Sequence, residues 1–124
     1  KGSQRSISLP IQGSGKETRA FIYIDDFADG FLTVSAKAKH LDIINIGTME
    51  EISIKRLVRE IGRCFKRDIK LIPGKLAEGS PLRRCPDTTK LKKLGFIPKF
   101  SLSEGLQETA RWYNTFAHLQ FKNV

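Results

Sequence analysis

Residues 53–66 divide a helix into two unlike sides. Ile54, Leu57, Val58, Ile61 and Phe65 fall on one face, and Lys55, Arg56, Arg59, Arg63 and Lys66 on the other. An apolar stripe of that length holds as a helix only when other elements cover it, so the rest of the chain has to supply a core. It offers strand-like pieces. Arg19-Ala20-Phe21-Ile22-Tyr23-Ile24 is aromatic and β-branched, which predicts a strand. Asp42-Ile43-Ile44-Asn45-Ile46-Gly47 reads as a buried strand closed by glycine, and Ile69, Leu71 and Ile72 as a strand ending at Pro73-Gly74. Leu9-Pro10-Ile11-Gln12 is a short extended run, and Gly13-Ser14-Gly15-Lys16 after it is a turn by composition.

Helical signals fill the gaps between the strands. Asp25-Asp26 marks a helix start, where carboxylates satisfy free amides and meet the positive dipole end. Phe27, Phe31, Val34 and Ala38 then follow on one stripe. A polar loop over 75–86 leads to Asp87, which caps a short helix over 88–94 ahead of Gly95. Ser101 and Glu104 have capping-box spacing and open a last helix, with Leu102, Leu106, Ala110 and Tyr113 toward the core. The order β-β-α-β-α-β-α-α predicts an α/β fold, a small mixed domain of short strands and about four helices.

Composition excludes several classes. The chain has 124 residues, 40% of them hydrophobic, which is too apolar for intrinsic disorder and suits one domain. No apolar run approaches the roughly 18–20 residues needed to cross a bilayer, so no membrane partner is expected. Two cysteines, Cys64 and Cys85, are too few for a disulfide scaffold; reduced thiols and a cytoplasmic setting are the expectation. His40 and His118 stand alone, without the three or four converging ligands that zinc needs. The chain opens Lys1-Gly2-Ser3 and its only Met is Met49, so the reading is of a single segment cut from a longer protein.

The formal charge of +9 comes from 22 Lys and Arg against 13 Asp and Glu. These cations are spread rather than interleaved with aromatic stacking platforms, so nucleic acid is the weaker reading. The turn at residues 13–16 is not a Walker loop, because the positions that require Gly and Ser or Thr hold Pro10 and Glu17. Arg19, after the glycine turn, and the pair Arg83-Arg84, ahead of a helix cap, carry more weight. A guanidinium fork suits bidentate contact with phosphate, and two such forks can clamp a diphosphate. No catalytic set accompanies them. Tyr23 and Tyr113 are followed four positions later by Phe27 and Ala117 rather than Lys, and no Gly-x-Gly-x-x-Gly occurs.

Four blocks in fixed order give these residues a context. They are Gly13-Ser-Gly-Lys-Glu-Thr-Arg-Ala-Phe-Ile-Tyr-Ile-Asp-Asp26; Ile44-Asn45-Ile46-Gly47; Arg83-Arg84-Cys85-Pro86-Asp87-Thr-Thr-Lys90 with Leu94-Gly95-Phe96; and Ser101-Leu-Ser-Glu-Gly-Leu-Gln-Glu-Thr-Ala-Arg-Trp-Tyr113. Together they resemble the carboxyl-terminal, substrate-binding portion of NAD-dependent nucleotide-sugar epimerases, dehydratases and decarboxylases, the extended short-chain dehydrogenases. The resemblance implies that Arg19 contacts the substrate diphosphate with Arg83 or Arg84, that Asn45 lies near the same phosphates, and that backbone groups of Pro10, Ile11 and Gln12 contact the nucleobase. It implies a UDP-, dTDP- or GDP-linked sugar as partner and a homodimeric parent enzyme. It also places NAD and the catalytic Tyr-x-x-x-Lys in an amino-terminal portion absent here. The segment alone is then expected to be inactive, to hold no cofactor, and to self-associate through apolar surface exposed by that absence. The alternative is a non-enzymatic basic module that binds nucleic acid or an acidic partner.

Overall fold

A computed structural model describes residues 6–120, with side chains to residue 116, so the side chain of His118 lies outside the described set. The elements run β1 (Ile7–Ile11), β2 (Thr18–Ala20), α1 (Ile24–Lys37), β3 (Glu51–Ser53), α2 (Ile54–Cys64), β4 (Ile69–Pro73), β5 (Arg83–Arg84), α3 (Thr89–Lys93) and α4 (Leu102–Gln120). The strands form two small sheets. β1 and β4 pair in parallel, Ile7 opposite Ile69 through Ile11 opposite Pro73. β2 lies between β3, antiparallel, and β5, parallel. The mixed α/β architecture expected from the sequence is therefore present, with four helices and short strands.

Helix α2 forms as its stripe demands. Ser53 caps it by accepting a hydrogen bond from the Arg56 amide at 3.2 Å. Val58 is buried, while Lys55, Arg56, Arg59 and Arg63 face solvent. Among the described residues, Ile52 from β3, Val58 from α2, Leu91 from α3, Phe96 just beyond it and Ala110 from α4 are the buried hydrophobic ones. Each large side chain among them contributes roughly 1.5–3 kcal/mol on leaving water. The capping box opens α4: the Ser101 amide donates to the Glu104 carboxylate at 2.8 Å, and the Glu104 amide donates to the Ser101 hydroxyl at 3.3 Å. The Ser101 hydroxyl also donates to that carboxylate, and these bonds hold Glu104 below the usual carboxylate range.

Several elements differ from expectation. The strand foreseen over 19–24 stops at Ala20, because its neighbours are only three and two residues long. Beyond it the Phe21 carbonyl accepts from the Thr48 hydroxyl at 2.8 Å, and Ile24 already belongs to α1. In α1 the foreseen stripe does not face the core. Phe27 and Phe31 are exposed, whereas Asp26 and Gly30 are buried. Asp25 and Asp26 do stand in the first turn, but the Asp26 carboxylate accepts the amides of Lys99 and Phe100 at 2.9 and 3.0 Å rather than capping its own helix. Residues 42–47 form no strand, since no neighbouring strand offers hydrogen bonds among the described residues, and Ile43 is 84% exposed. Tyr113, foreseen on the core side of α4, is also exposed. The foreseen polar loop over 75–86 contains β5 instead.

Candidate functional site

The glycine turn is built around its own anion. Gly13 and Gly15 have φ of +92° and +83°, a region that penalises any residue with a Cβ. This folds the amides of Ser14 and Gly15 onto the Glu17 carboxylate at 2.9 and 2.8 Å, and the Ser14 hydroxyl adds a third bond at 3.0 Å. The Ser14 amide above all, with Glu17's own amide, holds that carboxyl down to about 2 against the opposing effect of burial. A phosphate arriving at this turn would meet a buried negative charge. The turn is thus a brace that ties the β1–β2 connection to the start of α2: the Gly15 carbonyl accepts the Lys55 amide and the Glu17 carbonyl accepts the Ile54 amide, both at 2.9 Å.

That brace places Arg19. Along the parallel β2–β5 ladder, Thr18 is the register partner of Arg83 and Arg19 that of Arg84. Register partners project from one face of a sheet and alternate residues from opposite faces, so Arg19 and Arg84 share a face that Arg83 does not. Arg83 is occupied on its own face. Its Nε and Nη2 both lie 2.8 Å from Glu51 Oε2, and the Thr18 hydroxyl donates to the other oxygen of that carboxylate. The Thr18 hydroxyl, then Arg83, hold Glu51 below the usual carboxylate range, and Glu51 in turn raises the Arg83 guanidinium.

Arg19 uses part of its fork to fix the loop beside β5. Its Nη1 donates to the carbonyls of Thr18 and Leu82 at 2.6 and 3.4 Å, and its Nη2 to that of Pro81 at 3.0 Å. Of five guanidinium N–H groups, Nε–H and one Nη2–H remain available. Arg84 is exposed, and its guanidinium enters no ion pair among the described residues. Asn45 approaches from the other side: its Nδ2 donates to the Asp87 carbonyl at 3.0 Å, and Lys90 Nζ donates to the Ile43 carbonyl at 3.1 Å. These two bonds fasten residues 43–45 to the stretch that follows Arg84. Pro10 and Ile11 end β1 in the other sheet, and Gln12 follows them. The Gly13–Gly74 pair of backbone bonds, 3.2 and 3.1 Å, closes that end.

Arg19 and Arg84 are therefore register partners on one face, Asn45 is tied to Asp87 three residues beyond Arg84, Arg83 is turned to Glu51, and Pro10, Ile11 and Gln12 lie across the glycine turn. Two residues that sequence reasoning passed over organise this arrangement, Glu17 and Glu51. The signal for Glu17 was an acid two residues after a Gly-x-Gly turn whose amides need an acceptor. Glu51 gave none, because its partners Thr18 and Arg83 are remote in sequence.

A pyrophosphate is held by free amides of a glycine loop at a helix start; among the described residues the Gly13–Gly15 turn leads into β2 and gives its amides to Glu17, and α1 and α2 begin after Tyr23 and Ser53.

The NAD dependent epimerase/dehydratase family model matches residues 2–47. A probable GDP-L-fucose synthase 1 of Oryza sativa subsp. japonica is 32% identical over 112 residues, 90% of this chain and 34% of that protein. The dTDP-D-glucose 4,6-dehydratase of Homo sapiens is 34% identical over 123 residues, 92% of this chain and 34% of that protein. Among solved structures, UDP-glucuronic acid 4-epimerase from Bacillus cereus, in complex with UDP-glucuronic acid and NAD, superposes with a TM-score of 0.79 at 28% identity. The match covers 88% of this chain and 36% of that one. The chain spans about a third of the length of the curated relatives it matches. In its ordered sequence blocks and in its fold, the chain is similar to the NAD-dependent epimerase/dehydratase family of extended short-chain dehydrogenases.

Proposed function

We propose that this chain is the carboxyl-terminal, substrate-binding portion of a nucleotide-sugar epimerase or dehydratase, and that Arg19 and Arg84 grip the diphosphate of a UDP-, dTDP- or GDP-linked sugar. The observation that carries this reading is the register of β2 and β5. It makes Arg19 and Arg84 register partners whose side chains leave the same sheet face, where an anion between them would relieve the repulsion of like charges. A diphosphate offers a negative centre to each fork. Asn45 adds a neutral donor beside them, and Pro10, Ile11 and Gln12 present the base-contacting stretch. Arg84, not Arg83, completes the grip, because Glu51 already neutralises Arg83.

NAD and the acid–base residues belong to a cofactor-binding portion outside this chain. Holding the remote diphosphate positions the sugar for chemistry performed there. The exposed face of α1, with Ile24, Phe27 and Phe31, together with Leu41 and Ile43, is the surface that meets that portion. Alone, the chain is inactive and self-associates through the same face. Its two cysteines are unpaired, in keeping with a cytoplasmic setting.

Titration of UDP into the chain, followed by amide chemical shifts, tests the grip. Arg84→Ala should weaken UDP about tenfold or more, the scale of one charged hydrogen-bonding pair. Arg83→Ala should leave affinity within about threefold and lower thermal stability instead, by stranding Glu51. Equal affinities for wild type and Arg84→Ala would remove the reading.

A further inference from the structure

A second concentration of charge lies away from this site. A cleft of about 760 Å³ opens between α2 and β4, and neither Arg19, Arg84 nor Asn45 lines it. Its floor is apolar, from Val58, Ile69 and Leu71, and its walls carry Lys55, Arg59, Arg63, Lys66 and Arg67 against one carboxylate, Asp68. Lys55, Arg59 and Arg63 recur every four residues, so they rise along α2 in steps of roughly 6 Å. The remaining two are set by the turn that ends the helix. The Lys66 amide donates to the Arg63 carbonyl at 3.1 Å and the Arg67 amide to the Gly62 carbonyl at 2.9 Å. A Cβ on Gly62 would come within 2.8 Å of the Arg67 carbonyl oxygen, so glycine there lets the chain fold back tightly enough to bring Arg67 to the cleft.

The helix dipole does not explain this placement. A helix C-terminus attracts cations, which accounts for Arg63 and Lys66. Lys55 and Arg56 stand in the first turn, where the dipole opposes them, and no acidic residue joins them there. Nor does internal pairing absorb the charge. Arg63 pairs with Glu60 at 2.9 Å, while Lys55, Arg59 and Arg67 enter no ion pair among the described residues.

We propose that this cleft binds a small ligand carrying a run of phosphates, separately from the grip at Arg19 and Arg84. The volume falls in the range of small-molecule sites, roughly 300–1,000 Å³, rather than that of an extended polymer track. The guanidinium forks of Arg59 and Arg67 match phosphate oxygens in pairs, and the apolar floor suits a heterocycle. An inorganic phosphate chain and a nucleoside triphosphate share the required chemistry, and they differ in whether the floor is used.

Tripolyphosphate and magnesium-free ATP, titrated separately into the full chain at 150 mM salt, test the site. Each should bind once and saturably, with amide shifts centred on Lys55, Arg59 and Arg67. The double variant Lys55→Ala with Arg59→Ala should weaken both probes tenfold or more while keeping or raising the melting temperature, and Lys93→Ala, on α3, should change neither. ATP binding tighter than tripolyphosphate supports a nucleotide occupant; equal affinity supports the phosphate chain alone. Absence of saturable binding by both probes, or affinities untouched by the double variant, would overturn the proposal. So would an oligothymidylate that binds much more tightly than either probe and occupies several copies of the chain.

Discussion

Glu17 shows how one side chain can decide what a loop is for. The amides of a glycine turn form an anion site, and here the chain fills it with its own carboxylate. Because the folded state holds that carboxyl below its ordinary value, ionised Glu17 stabilises the fold above the ordinary value. That contribution fades as pH falls from 4.5 toward about 2. Glu17→Gln should therefore lower the melting temperature at pH 7 and flatten the acid limb of the stability curve. Thermal melts of both proteins from pH 7 to pH 2 should converge at the acid end; a constant gap would contradict the assignment. The turn itself was legible from its glycines. Its occupant was not, because local composition says where a chain bends and not where a carboxylate points. Asp26 makes the same point. Its position at the start of α1 was readable, but its bonds to the amides of Lys99 and Phe100 span more than 70 residues.

At the scale of elements, periodicity located helices well and chose their buried faces poorly. The α1 stripe of Phe27 and Phe31 has the right spacing, yet Asp26 and Gly30 face inward, since period fixes a face without naming its partner. Residues 42–47 are apolar enough for a strand and have none beside them among the described residues. β5 is the reverse case: two arginines have no strand character of their own and are extended because β2 pairs with them. The α2 terminus supplies a prediction. Lys66 holds φ at +52°, a conformation costing a non-glycine residue roughly 1–2 kcal/mol. Lys66→Gly should stabilise the fold by about 0.5–1 kcal/mol after the entropy cost of glycine, measured by urea unfolding. A destabilised variant would show that the Lys66 side chain contributes more than its backbone loses.

At the scale of the molecule, the two small sheets and four helices of the described residues enclose few buried apolar side chains, while Leu41 and Ile43 stand 85% and 84% exposed. That balance fits a portion whose apolar α1 face meets another part of an enzyme, and relatives about three times as long fit it too. The family was readable in the four ordered blocks. The pairing that separates Arg84 from Arg83 in the proposed grip was not, because it depends on which residue of β5 lies opposite Arg19 and on a carboxylate 32 positions away. The proposed grip needs Arg19 and Arg84 to act on one diphosphate, and a double-mutant cycle on nucleotide affinity reads that directly. Arg19→Ala and Arg84→Ala, singly and together, should show a coupling of about 1 kcal/mol or more for UDP and none for uridine. Strictly additive losses for UDP, or equal coupling for UDP and uridine, would contradict it.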